Sequence, residues 1–220
     1  MDYSDVRCKC GRMTRRPLLL ATAIVVGATI GVAIAIVAGK RSAAPPPPAA
    51  ADRPWTVLAR AAPDFRLRDQ DGQAVSARAL RGRPAVITFL DPVCRNLCPI
   101  EARVLASVGR RLGARAPRFV AVSVNPAADT PANFRADARE WHLPATWRWA
   151  TGSRAELAPV WRDYEVAVQA QTRRVAGTTV HEVAHTEEAY LVDAHGIERA
   201  LFVFPFRAAD VERALAELGR

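Results

Sequence analysis

Ala85-Val86-Ile87-Thr88-Phe89-Leu90 is an unbroken β-prone run closed off by Pro84 and Pro92, and it limits the folds open to this chain more than any other feature. A strand that is apolar on both faces belongs inside a sheet covered on both sides, because a half-exposed strand would alternate. Phe119-Val120-Ala121-Val122-Ser123-Val124 is a second run of the same kind. Between the two, Ile100, Val104, Leu105, Val108 and Leu112 recur at helical spacing, which predicts a helix from about Pro99 to Ala114.

The remaining elements fall around that centre. Phe65 to Arg68 and Gln73 to Ser76 alternate about Asp71-Gly72, a hairpin signal. Asp129-Thr130-Pro131 opens another helix, with Thr130 as N-cap and Pro131 at the first helical position. Ser153 to Tyr164 reads as a third helix and Arg207 to Leu218 as a closing amphipathic one. Ala189 to Asp193 and Ala200 to Phe204 flank Ala194-His195-Gly196 and predict an antiparallel pair. Strands alternating with helices, then a hairpin and a final helix, predict an α/β domain of three layers with a thioredoxin-like architecture, spanning residues 55–220.

Charge and hydropathy separate this domain from what precedes it. The chain has 220 residues and a net charge of +9, and residues 1–41 carry +5 of that charge, from seven basic and two acidic side chains. The other +4 is interleaved with acidic residues, so no phosphate-binding face and no nucleic-acid partner is expected. From Pro17 to Gly39 there is no charged residue. At about 1.5 Å per residue this segment is long enough for a hydrocarbon core of roughly 30 Å. Five basic residues precede it, which predicts a cytoplasmic tail at 1–16, a single transmembrane helix at 17–39 and a domain on the extracytoplasmic face of the cell membrane. The apolar region of a cleaved signal peptide is shorter, about 7–15 residues. Pro45 to Pro48, among alanines, makes residues 40–54 a semi-rigid spacer.

The chemistry gathers between the strongest strand and the first long helix, in Asp91-Pro92-Val93-Cys94-Arg95-Asn96-Leu97-Cys98-Pro99. If the helix begins inside this loop, a spacing of four sets both sulfurs on one face, one turn apart. The positive end of the helix favours thiolate there, and Arg95 would act in the same sense. Such a pair either closes into a disulfide, structural or redox-active, or clamps a soft metal ion. Of the four histidines, His142 ends a helix, His195 occupies a turn, and His181 and His185 lie shortly before the strand that begins near Ala189. That connection can approach the cysteine loop in a thioredoxin-like sheet. Two thiolates and an imidazole suit copper, whereas a closed zinc site would call for a fourth ligand. Cys8 and Cys10, on the predicted cytoplasmic side, have no supporting ligands and read as incidental thiols.

In order along residues 60–220, the chain resembles the Sco/SenC family of copper proteins. Ala62-Pro63-Asp64-Phe65 with Asp71-Gly72 resembles the family's opening hairpin, and Leu80 to Pro84 the lead into its central strand. Cys94 and Cys98-Pro99 resemble its metal-binding loop, Ser123-Val124-Asn125-Pro126 with Asp129-Thr130-Pro131 its second-strand signature, and Thr151-Gly152-Ser153 the lead into its next helix. His185-Thr186 followed by Tyr190 to Asp193 and Gly196 resembles the segment holding its ligand histidine. The resemblance implies copper, as Cu(I) or Cu(II), held by Cys94, Cys98 and His185. It also implies delivery of that copper to the CuA-bearing subunit of cytochrome c oxidase, or work beside its assembly factors. Some relatives are instead thought to reduce the cysteines of the target, which would make Cys94 and Cys98 a redox pair. Three positions depart from the family pattern: Arg95 stands where Pro is usual, Leu90-Asp91-Pro92-Val93 is atypical, and Asn125 stands where Asp is common.

Overall fold

In the computed structural model, which describes residues 53–218 apart from the side chains at 175 and 178–181, the six residues of Ala85–Leu90 are all buried in one strand. The tail, the transmembrane segment and most of the spacer read from the sequence therefore lie outside the described residues. Among the described residues, no helix is long and apolar enough to cross a membrane.

Among the described residues, ten strands follow in chain order: β1 (Thr56–Ala61), β2 (Arg66–Asp69), β3 (Ala74–Ser76), β4 (Ala85–Leu90), β5 (Arg118–Ser123), β6 (Arg148–Thr151), β7 (Val168–Val175), β8 (Thr178–His185), β9 (Glu188–Val192) and β10 (Ile197–Val203). The helices are α1 (Cys98–Leu112), α2 (Pro131–Glu140), α3 (Arg154–Asp163) and α4 (Ala208–Leu218). Eight strands form one sheet in the order β1-β10-β9-β4-β5-β6-β2-β3, while β7 and β8 pair only with each other. β4, β5 and β6 run parallel, and β9 lies antiparallel to β4.

The pleat of β4 explains the layers. Val86 and Leu90 pack into one core with Leu105 and Val108 of α1 and Val211 of α4, whereas Ala85, Ile87 and Phe89 pack on the other face with Leu157 and Trp161 of α3. Burying such a side chain contributes about 1.5–3 kcal/mol, so both faces of β4 hold helices to the sheet. The expected hairpin about Asp71-Gly72 forms, with Leu67 opposite Val75 and Gly72 at φ +77°. Both expected helix starts also form. Thr130 Oγ1 accepts from the Asn133 amide at 3.2 Å, and Ser153 makes a reciprocal capping box with Glu156.

Three pieces were not read from the sequence. Edge strand β1 is mostly exposed and pairs with β10, and β6 is only four residues long. The third piece is the β7–β8 hairpin, closed by Ala176 at φ +49° and Gly177 at φ +82°. Both turn residues are left-handed, as the two-residue turn that fits a twisted hairpin requires. Most of its described side chains are exposed, so its sequence carries none of the apolar alternation that reveals a half-buried strand.

Candidate metal centre

Sheet register brings the two halves of the site together. Along β4 and β9, Ala85 faces Val192 and Thr88 faces Ala189, so each step toward the end of β4 is a step back toward the start of β9. The chain leaving β4 toward the cysteines therefore meets the chain arriving from His185, the last residue of β8, through Thr186 and Glu187. Main-chain bonds secure the crossing: the Thr186 amide donates to the Ala167 carbonyl at 3.1 Å, and the Phe204 amide donates to the Glu187 carbonyl at 3.0 Å.

The cysteine loop is organised by Asp91. Its Oδ1 accepts from the Val93 amide at 3.0 Å and from Asn125 Nδ2 at 3.1 Å, and its carbonyl accepts from the Cys94 amide at 3.1 Å. Helix α1 begins at Cys98, with Leu97 as N-cap and Pro99 in the first turn. The two cysteines are thus not one helical turn apart as anticipated: Cys94 sits in the preceding turn and only Cys98 is helical. A hydrogen bond between the thiols joins them nonetheless, and neither is in a disulfide.

Their environments differ sharply. Cys98 is fully buried, and Cys94 is partly exposed. The hydrogen bond from Cys98 draws the Cys94 thiol down to about 6, helped by backbone donors such as the Asn96 amide, 3.5 Å from Sγ. Cys98 is pushed the opposite way by its bond to Cys94, by burial and by the nearby charge of Glu187. The anticipated helix-end effect is therefore overridden at Cys98. Arg95 does not turn to the sulfurs either. It donates to the Cys94 carbonyl at 2.9 Å and lies 3.8 Å from the buried Asp137, whose carboxyl burial raises to about 7.

His185 meets Cys98, with Nε2 3.4 Å from Sγ and the ring side chain only 3 % exposed. Nδ1 lies 3.0 Å from the Thr186 carbonyl, which can only accept, so Nδ1 carries a hydrogen and Nε2 is the nitrogen turned to Cys98. Sequence reasoning missed one member of the cluster. Glu187 Oε1 lies 3.8 Å from Cys98 Sγ and 3.5 Å from His185 Nε2, and Cys98, His185 and Glu187 form a group able to hold a metal ion. Its signal was a carboxylate two residues after the candidate ligand histidine. Cys94 is not part of this group and pairs with Cys98 at its side. His142 and His195 stay apart from it, exposed after α2 and in the β9–β10 turn. His181 stands opposite Thr172 in the hairpin, and its side chain lies outside those described.

Glu101, in the first turn of α1, is fully buried. Thr88 Oγ1 donates to its Oε1, and burial, together with Glu187, raises this carboxyl well above the ordinary range. In front of the site, Val93, Leu97 and Ile100 are exposed apolar side chains flanking the cysteines.

The SCO1/SenC family model matches residues 56–219. No curated protein matches the chain. Among solved structures, copper-bound ScoI of Bradyrhizobium japonicum aligns at 28% identity and TM-score 0.61, covering 73% of this chain and 98% of that one. Copper-bound ScoI of Arabidopsis thaliana aligns at 22% identity and TM-score 0.61, covering 72% and 98%. BsSco, described with a disulfide switch and as a member of the Sco family of cytochrome c oxidase assembly proteins, aligns at 23% identity and TM-score 0.57, covering 73% and 94%. With the thioredoxin-like fold and a cysteine–histidine cluster at the end of its central strand, the chain belongs to the SCO1/SenC family.

Proposed function

We propose that the chain is a copper metallochaperone, which holds the ion through Cys94, Cys98 and His185 and passes it by ligand exchange to the CuA centre during cytochrome c oxidase assembly. The observation that carries the reading is the approach of His185 Nε2 to Cys98 Sγ at 3.4 Å, across 87 residues of sequence. The donor set fits the cargo, since thiolates select Cu(I) and imidazole serves either oxidation state. Copper in the structure of a relative at 28% identity supports the same reading, and the family placement of BsSco supports the oxidase as destination. Exposed Val93, Leu97 and Ile100 offer a partner an apolar rim around the exchangeable sulfur of Cys94. Residues 17–39 would anchor the chain as a single-pass helix, with the domain facing outward on the 40–54 spacer.

The test is titration of the reduced full chain with Cu(I) and Cu(II). Cys94→Ser and His185→Ala should each weaken copper binding by at least about tenfold, and unchanged affinity in both would remove the reading.

A second reading rests on the asymmetry of the thiols. A readily ionised, partly exposed Cys94 backed by a buried Cys98 is the arrangement of an attacking and a resolving cysteine. In that role, the Cys94 thiolate attacks a partner disulfide and releases one partner thiolate. Cys98 then displaces the second, leaving the partner reduced and Cys94–Cys98 oxidised. A pair that stays inert toward a model disulfide would exclude it.

A further inference from the structure

Three groups converge on the Cys98 sulfur. The partner sulfur of Cys94 is hydrogen-bonded to it, His185 Nε2 is 3.4 Å away, and Glu187 Oε1 is 3.8 Å away. With Nδ1 of His185 turned to the Thr186 carbonyl, Nε2 is the ring nitrogen that faces Glu187 Oε1, at 3.5 Å. The second carboxylate oxygen, Oε2, is buried, and Glu187 also faces the buried Glu101 carboxyl. Sulfur, imidazole nitrogen and carboxylate oxygen thus converge on one point, as they would around a cation.

The spacing is that of a coordination sphere. A triangle with edges of 3.4, 3.8 and 3.5 Å has a centre about 2.1 Å from each corner, within the range over which sulfur, nitrogen and oxygen donors hold a first-row divalent ion. Glu187 is also held in place: its carbonyl accepts from the Phe204 amide at 3.0 Å, and its side chain is 13 % exposed.

Building on the copper reading above, we infer that Glu187 supplies a fourth, carboxylate donor to the Cys94, Cys98 and His185 set, and that this oxygen tunes the site toward Cu(II). Thiolates alone select the soft monovalent ion, and an anionic oxygen adds a harder donor that favours the divalent one. Binding exchanges the Cys98 proton for the metal: the S–H bond breaks, a sulfur–copper bond forms, and the proton leaves to solvent with no change in the ion's oxidation state.

The experiment compares wild type, Glu187→Gln and Glu187→Leu in the reduced full chain. Competition titrations give Cu(II) and Cu(I) affinities separately, and electron paramagnetic resonance of the Cu(II) form reads the donor set directly. Both variants should lose Cu(II) affinity by about tenfold or more, keep Cu(I) affinity within about threefold, and show an altered copper hyperfine splitting. Unaltered Cu(II) affinity and spectrum, or equal losses for both ions, overturn the role of Glu187. Cys94→Ser and His185→Ala, run alongside, separate the two levels. If they weaken binding while the Glu187 variants do not, only this inference falls; if they too leave binding intact, the copper site itself falls.

Discussion

Asn125 Nδ2 donates to Asp91 Oδ1 across 3.1 Å, in a place where both residues are buried. The bond ties the loop after β5 to the turn that presents Cys94, because the carbonyl of the same Asp91 holds the Cys94 amide. Both positions were singled out in the sequence as departures from the Sco/SenC pattern, and the fold places them in contact. Asp at 91 asks for a donor at 125, and Asn supplies one where Asp would not.

Asn125→Asp would set two carboxylates against each other in a buried pocket. Buried like charges resist ionising together, so the folded-state pKa of the pair rises. A raised folded pKa contributes stability that is present below the unfolded value and lost as pH rises through the folded one. The variant should therefore be close to wild type in stability near pH 4 and about 1–3 kcal/mol weaker at pH 7.5. Urea denaturation at the two pH values checks this, and the exchanged pair Asp91→Asn with Asn125→Asp should recover most of the loss.

Cys94 should be the reactive thiol of the reduced, metal-free chain. Alkylation by iodoacetamide followed by mass spectrometry should modify Cys94 with a half-maximal rate near pH 6 and leave Cys98 protected, because Cys98 is fully buried. Cys98→Ala removes the main hydrogen bond holding the thiolate, so the half-point should move up toward the ordinary thiol range. A profile unmoved by that substitution would contradict the thiol pairing.

Glu101 gives a second pH signature. Its folded-state pKa is raised by burial, so its contribution to stability is complete below the unfolded value near 4.5 and is lost as pH rises above it. Relative to Glu101→Gln, wild type should lose up to about 1.4 kcal/mol per pH unit on going up from pH 5. Thermal melts of both proteins from pH 4 to 8 measure the difference, and parallel curves would contradict it.

The β7–β8 hairpin ends at His185, so its turn is a remote handle on the site. Ala176 occupies a left-handed position before Gly177, where Asn is the better residue. Ala176→Asn should steady the hairpin by about 0.5–1 kcal/mol, read as slower amide exchange across the Arg173–Val180 pairing.

The sequence made the centre of the fold legible because there the local and global demands agree. Ala85–Leu90 is apolar at every position since both faces of β4 are covered, and Thr130 and Ser153 mark their helices because a cap is a local device. The exposed strands β1, β7 and β8 answer to pairing rather than burial, so their side chains leave no pattern. The site was legible as residue types but not as geometry. His185 reaches Cys98 through the register of β9 on β4, a relationship spread over distant segments. Cys94 lies outside the helix because Asp91 closes a turn first. Glu187 was missed because a lone carboxylate in a link reads as solvated until its two neighbours are placed beside it.

X-ray absorption at the copper edge of the reduced, copper-loaded full chain tests the metal assignment most directly. The account predicts a first shell containing two sulfur scatterers and the multiple scattering of one imidazole, with the imidazole signal lost in His185→Ala. A shell of oxygen and nitrogen alone, or one unchanged by that substitution, would contradict it.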